Sequence, residues 1–179
     1  MSNSGRPMIA VDLCNTICDV NASLEHIFST RRRRGSMYIE GVTEAFFKEN
    51  PDFFLYPKVF PYAVEVLQML SMQFDITYLT ARPPEAHLAT MQFLFQHNFP
   101  EGELIHSSNK IEIFLDRNMS FAFDDAPREI ANYTQKNIPV FVKKWDYNEG
   151  LGIQFEWEDM YHFLAYGKSV SKYRKTARY

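Results

Sequence analysis

Short apolar runs that stop abruptly at polar residues alternate with amphipathic segments along this chain. Residues 8–11 (MIAV) end at Asp12, and a brief apolar run of this kind predicts a strand buried on both faces. Residues 74–79 (FDITYL) are rich in β-formers and end at Thr80. Residues 104–106 (LIH) form a weaker third candidate, residues 120–123 (SFAF) a fourth that ends at Asp124 and Asp125, and residues 139–142 (PVFV) a fifth. Helical patterns fall between them. Residues 62–72 place Ala63, Val66, Leu67 and Leu70 on one face, with Pro61 suited to the first turn. Residues 85–97 place Leu88, Met91 and Phe95 at helical spacing after Pro83 and Pro84. Residues 127–136 and 156–166 supply two more helices. Strands alternating with helices predict an α/β fold around a mainly parallel, five-stranded sheet covered on both faces.

Residues 21–60 break the alternation. They hold a predicted helix over 23–30, four consecutive arginines (Arg31, Arg32, Arg33, Arg34), a second helix over 43–49, and then Pro51 and Pro57. This is the pattern of a small helical insertion after the first strand. It divides the chain into a core made of residues 1–20 and 61–166, a cap of residues 21–60, and a C-terminal tail of residues 167–179. An insertion at that point overhangs the carboxyl ends of the strands, where open α/β sheets bind ligands.

Composition narrows the class without assigning chemistry. With 179 residues, 46% apolar and 23% charged, the chain suits one globular domain with a sizeable core. Sixteen Phe and ten Tyr against seven Gly exclude low-complexity disorder. Cys14 and Cys18 are the only cysteines, which argues against a secreted disulfide framework or a zinc finger. The first seven residues are polar and no apolar stretch reaches the length of a membrane span, so a cytoplasmic protein is expected. Net charge is −3, yet five of the 19 basic residues (Lys168, Lys172, Arg174, Lys175, Arg178) fall in the tail with none of the acids. That tail and the arginine run read either as solvated charge or as contacts to the phosphates of a nucleic acid.

Polar residues recur where the predicted strands end: Asp12, then Thr80, then Asp124 and Asp125, with Lys110 beyond the third strand. In a parallel sheet these ends share one edge. Carboxylates, a hydroxyl and a lysine meeting there suit Mg²⁺ plus a phosphoryl group, since Mg²⁺ takes oxygen ligands and a lysine neutralises phosphate charge. Each piece alone has a plainer reading as a turn former or a helix cap. The order of the set is more specific than any member.

That order resembles the haloacid dehalogenase superfamily of phosphotransferases. Asp12 to Thr16 (DLCNT) is similar to its first motif, usually D-x-D-x-T or D-x-D-x-V; Thr80 matches the second, Lys110 the third, and Asp124 with Asp125 the fourth. Within the superfamily the chain resembles most the 5′(3′)-deoxyribonucleotidases, or type C nucleotidases. Asp19 stands seven residues past the first aspartate, Phe53 and Phe54 precede a P-x-x-G-A-x-E-x-L-like run in which Tyr62 replaces the glycine, and Tyr147, Asn148 and Trp157 sit where the family shows Y-N and a tryptophan. The resemblance implies a Rossmann-like core and Mg²⁺-dependent hydrolysis of a phosphomonoester through an aspartyl-phosphate, with a nucleotide monophosphate as substrate. It implies Asp12 as nucleophile and metal ligand, the main-chain carbonyl of Cys14 and the carboxylates of Asp124 and Asp125 in the metal shell, and Thr80, Ala81 and Lys110 around the phosphate. Phe53 or Phe54 would stack on the base, although core packing is the plainer reading of both. In one place the pattern fails: the family's second aspartate, which protonates the leaving oxygen, is Cys14. Asp19 is the nearest carboxylate in sequence that could take over that work; the alternatives are a protein that binds a phosphorylated ligand without turnover and a nucleic-acid-associated end-processing phosphatase, the latter suggested by the arginine run and the basic tail.

Overall fold

The computed structural model describes residues 5–167. The predicted basic tail, from Lys168 to Arg178, lies outside the described residues. Six parallel strands form one sheet in the order β5-β4-β1-β6-β7-β8. They are β1 (Met8–Val11), β4 (Asp75–Thr80), β5 (Gly102–His106), β6 (Ala122–Asp124), β7 (Val140–Lys143) and β8 (Ile153–Phe155). Two further strands, β2 (Cys18–Asp19) and β3 (Lys58–Val59), pair antiparallel as a separate ribbon. The helices are α1 (Val20–Phe28), α2 (Glu44–Glu49), α3 (Ala63–Ser71), α4 (His87–Gln96), α5 (Lys110–Asp116), α6 (Pro127–Gln135) and α7 (Trp157–Tyr166).

The five predicted strands are present, and the sheet is one strand wider than expected. β8 is an edge strand of three residues with the sequence IQF, too short for a period-two pattern to stand out. Gly152, at φ +56, makes room for it: a Cβ there would meet the Val142 side chain at 2.5 Å. The strand order reverses at β1, with β4 and β5 on one side and β6 to β8 on the other. The register pairs Val11 with Tyr78 and with Phe123. Asp12, one residue beyond β1, therefore lies beside the carboxyl ends of β4 and β6, and its N–H donates to the Phe123 carbonyl at 2.9 Å.

Helix ends follow local chemistry. Asn98, Asn118 and Asn137 take positive φ just past α4, α5 and α6, the left-handed stop that asparagine tolerates. The helix expected over residues 23–30 begins instead at Val20, because the Asp19 carboxylate accepts the Ala22 N–H at 2.8 Å and caps it there. In α4 the stripe of Leu88, Met91 and Phe95 faces solvent, at 80%, 46% and 84% exposure, while Ala89, Thr90, Phe93 and Leu94 are buried. Phe93 and Phe99 pack against one another under the sheet, so the buried face lies to one side of the stripe that the spacing suggests.

The segment between β2 and β3 carries α1, α2 and a 3-10 turn, Pro51–Leu55. Phe46, Phe47, Phe53 and Phe54 from it form an aromatic cluster with ring centroids 5.2–5.8 Å apart. Its two ends are tied together by the β2–β3 ribbon and by the Phe60 N–H donating to the Ile17 carbonyl. Among the described residues no helix is long and apolar enough to cross a membrane.

Candidate active site

Three buried carboxylates meet at the carboxyl edge of the sheet. One oxygen from each of Asp12, Asp124 and Asp125 lies within 4.8 Å of the others. Asp12 comes from the end of β1, Asp124 is the last residue of β6, and Asp125 follows it. Lys110, the first residue of α5, is 3% exposed and donates to Asp12 Oδ1 at 2.6 Å and to Asp124 Oδ2 at 2.9 Å. The other Asp124 oxygen accepts the N–H groups of Asp125 and Ala126. Thr16 Oγ1 lies 3.2 Å from Asp12 Oδ2 and 3.0 Å from Asp125 Oδ1, so its single proton is shared between two acids.

One lysine cannot neutralise three carboxylates. Burial raises Asp125 well above the usual carboxylate range, and repulsion from Asp12 and Asp124 adds to the effect. Burial also raises Asp124, with Lys110 pulling the other way. Burial opposes the charge on Lys110, but Asp12 and Asp124 outweigh it and keep the ammonium protonated. The cluster thus holds excess negative charge that a cation would relieve.

The loops are held by a set of side chains around the acids. Tyr147 donates its hydroxyl to Asp125 Oδ2 at 2.5 Å, and the Asn148 amide donates to the carbonyls of Asp125 and Lys143. Trp145 and Trp157 donate their indole N–H groups to the carbonyls of Asn15 and Thr16, fixing the loop after β1. Tyr147, Asn148 and Trp157 stand out in the sequence, but only the folded chain shows that they hold the loops around the acids.

A cavity of about 240 Å³ opens over the cluster. Asp12, Cys14, Thr80, Ala81, Lys110 and Asp125 line it, together with Tyr38, Phe47 and Phe54. Two expected site residues lie elsewhere. Asp19 is engaged as the cap of α1 and is not among the residues lining the cavity, so it does not stand where Cys14 lacks a carboxylate. Phe53 is 5% exposed within the aromatic cluster behind Phe54 and does not line the cavity either. Glu129, from α6, is a buried carboxylate that does line it and that the sequence pattern does not single out.

Arg82 is the other residue that sequence reasoning missed; in the run TARP it looks like loop chemistry. It is 3% exposed, its guanidinium lies 4.3 Å from the Phe54 ring centroid, and it lines the same cavity. Its Nε donates to Cys14 Sγ at 3.2 Å, and its other nitrogens reach Thr90 Oγ1 at 3.2 Å and Cys18 Sγ at 3.5 Å. Burial raises the Cys14 thiol above its ordinary pKa, with Arg82 offsetting part of the effect, so the thiol is neutral.

The arginine run does not present four free guanidinium groups. Arg32 is half-buried, pairs with Asp146 at 2.5 Å and lies over the rings of Trp145 and Tyr147. Arg33 pairs with Glu40 on the surface.

Solved structures share the fold. A haloacid dehalogenase-like family hydrolase from Streptococcus pneumoniae superposes with a TM-score of 0.57 at 13% identity, over 92% of this chain and 100% of that one. A defluorinating L-2-haloacid dehalogenase superposes with a TM-score of 0.59 at 11% identity, over 89% and 94%. The chain has the haloacid dehalogenase fold. Two curated relatives share sequence with it. A protein of Bacillus cereus named "Putative nucleotidase" is 36% identical over 100 residues, 52% of this chain and 53% of that protein. One of Oceanobacillus iheyensis with the same description is 26% identical over 132 residues, 70% of this chain and 66% of that protein. The chain therefore spans between half and two thirds of the relatives it matches. No protein-family model matches it. Within the haloacid dehalogenase fold, Asp12 and Asp124 lie at the carboxyl edge of adjacent strands, where the strand order reverses.

Proposed function

We propose that this chain is a Mg²⁺-dependent phosphomonoester hydrolase that works through an aspartyl-phosphate on Asp12 and takes nucleoside monophosphates. The observation that carries the reading is the convergence of Asp12, Asp124 and Asp125 within 4.8 Å, beside buried Lys110, on the floor of a partly aromatic cavity. The donor set fits the metal: it is all oxygen and carries more negative charge than Lys110 balances, which suits a hard divalent cation. Asp12, Asp124 and Asp125 would hold it with the main-chain carbonyl of Cys14, whose sulfur faces Arg82. Magnesium, when bound, neutralises charge on the phosphoryl oxygens and on the carboxylates.

The chain's own residues do the rest. Lys110 and Thr80, with the main chain at Ala81, hold the phosphoryl group in line with Asp12. An Asp12 oxygen forms a bond to phosphorus as the bond to the leaving oxygen breaks, and the leaving oxygen ends protonated as the alcohol. Water then attacks phosphorus, the bond to Asp12 breaks, and inorganic phosphate leaves. Residues 21–60 act as the cap over the core of residues 1–20 and 61–166. Phe47 and Phe54 on its underside, with Tyr38, offer flat faces to a base. The names of the two curated relatives support a nucleotide substrate. The engagement of Arg32 and Arg33 within the chain favours a mononucleotide over a polynucleotide.

Phosphate release from an aryl phosphate and from a panel of nucleoside monophosphates, with Mg²⁺ and with chelator, tests the reading. Mg²⁺-dependent turnover that Asp12→Asn abolishes is the expected result. No turnover of any phosphomonoester beside measurable phosphate binding would replace the hydrolase with a binding protein.

A further inference from the structure

Arg82 is a buried cation whose hydrogen-bond partners carry no charge. Among the described residues, its hydrogen bonds go to two sulfurs and one hydroxyl, and its faces meet Phe54 and Phe93. A guanidinium stays charged at any accessible pH, and the pull of Asp12 favours that charge, but among the described residues its hydrogen bonds go to neutral groups, leaving it able to pair with an anion that enters the cavity. The cavity that Arg82 lines is where the phosphoryl ester would sit. Arg82 leaves β4 on one side of Asp12, and its Nε is anchored to the side chain at position 14, two residues past the nucleophile.

We propose that Arg82 is the leaving-group residue of this site: its guanidinium stabilises the negative charge that develops on the departing oxygen, and Cys14 Sγ holds it in place. This deepens the hydrolase reading above and rests on it. As the phosphorus–oxygen bond breaks, its electron pair moves onto the departing oxygen. Arg82 donates a hydrogen bond to that oxygen without giving up its proton, and the alkoxide then takes its proton from water. Cys14 Sγ accepts from Nε at 3.2 Å and so anchors the guanidinium. A positioned donor at a developing oxyanion typically contributes 10²–10³-fold in rate. The alkoxide of a nucleoside monophosphate departs poorly as an anion, so a donor at the departing oxygen has most to contribute on such an ester.

The dependence of rate on leaving-group pKa separates this role from a structural one. Wild type, Arg82→Gln, Arg82→Lys and Glu129→Gln are compared on aryl phosphates of graded acidity and on an alkyl phosphate, with melting temperature measured for each. Arg82→Gln is expected to lose about 10²-fold in kcat on the alkyl ester and about threefold or less on the most acidic aryl ester, so its rate falls more steeply with leaving-group pKa. Arg82→Lys, which keeps the charge and tests the point if the glutamine variant does not fold, should recover part of the loss on the alkyl ester only. Equal losses on every ester, no loss on any, or the steeper dependence appearing in Glu129→Gln instead would overturn the assignment while leaving the hydrolase reading intact. Absence of turnover in wild type would remove the hydrolase reading itself.

Discussion

Lys110 Nζ stands 2.6 Å from Asp12 Oδ1, and 98 residues of chain separate the two. The same ammonium reaches Asp124, so one buried charge links two strands that the sheet places side by side. Without metal, that ammonium is the cation hydrogen-bonded to the acidic cluster, while Arg82 acts on Asp12 from across the cavity. Asp125→Asn removes one buried charge and should stabilise the metal-free protein by about 0.5–2 kcal/mol, while reducing the gain on adding Mg²⁺. In wild type, Mg²⁺ at a hundred times its dissociation constant should contribute about 2.7 kcal/mol. Lys110→Ala should destabilise the metal-free protein by about 3–5 kcal/mol. Thermal melts with chelator and with Mg²⁺ check all three.

Burial raises the pKa of both thiols, Cys18 more deeply placed than Cys14, and Arg82 only partly offsets it. Native protein should therefore react with iodoacetamide at pH 7.5 at least about tenfold more slowly than a free cysteine, since the thiolate is the nucleophile. Both thiols should label at the ordinary rate once the chain is unfolded. Mass spectrometry of timed, quenched samples reads the result.

Tyr62 stands where the resembling family carries glycine, and its φ of +65° explains why glycine is favoured there. The ring stacks on Tyr161 at 4.8 Å. Tyr62→Ala loses the stack and keeps the strained backbone; Tyr62→Gly loses the stack and relieves the strain. Urea titrations should place the glycine variant about 1 kcal/mol above the alanine variant.

His106 Nδ1 donates to the Arg82 carbonyl at 2.9 Å, and its Nε2 accepts from His87. Burial lowers its pKa, with the charges of His87 and Arg82 acting in the same direction and the hydrogen bond to the Arg82 carbonyl against them. The folded protein then binds fewer protons at this site than the unfolded chain does. Stability from this group is present above about pH 6.5 and is lost as pH falls toward the lower, folded pKa. His106→Gln should flatten that part of the melting-temperature profile between pH 7.5 and 5.5.

The amino-acid sequence alone determined the alternation of strands and helices, the break in that alternation over residues 21–60 and the polar residue at each strand end. All of these are local: an apolar run stops, or a helical period starts, within a few positions. Only the tertiary structure decided which polar residues meet. Parallel pairing of β1 with β4 and β6 brings Asp12, Thr80 and Asp124 to one edge, whereas Asp19 is claimed by the N–H of Ala22 three residues away. Arg82 could not be read from its neighbours because its meaning comes from Cys14 and Phe54, contacts that exist once residues far apart are packed. The short edge strand β8 and the exposed stripe on α4 were decided the same way, since a face is buried only if something lies against it.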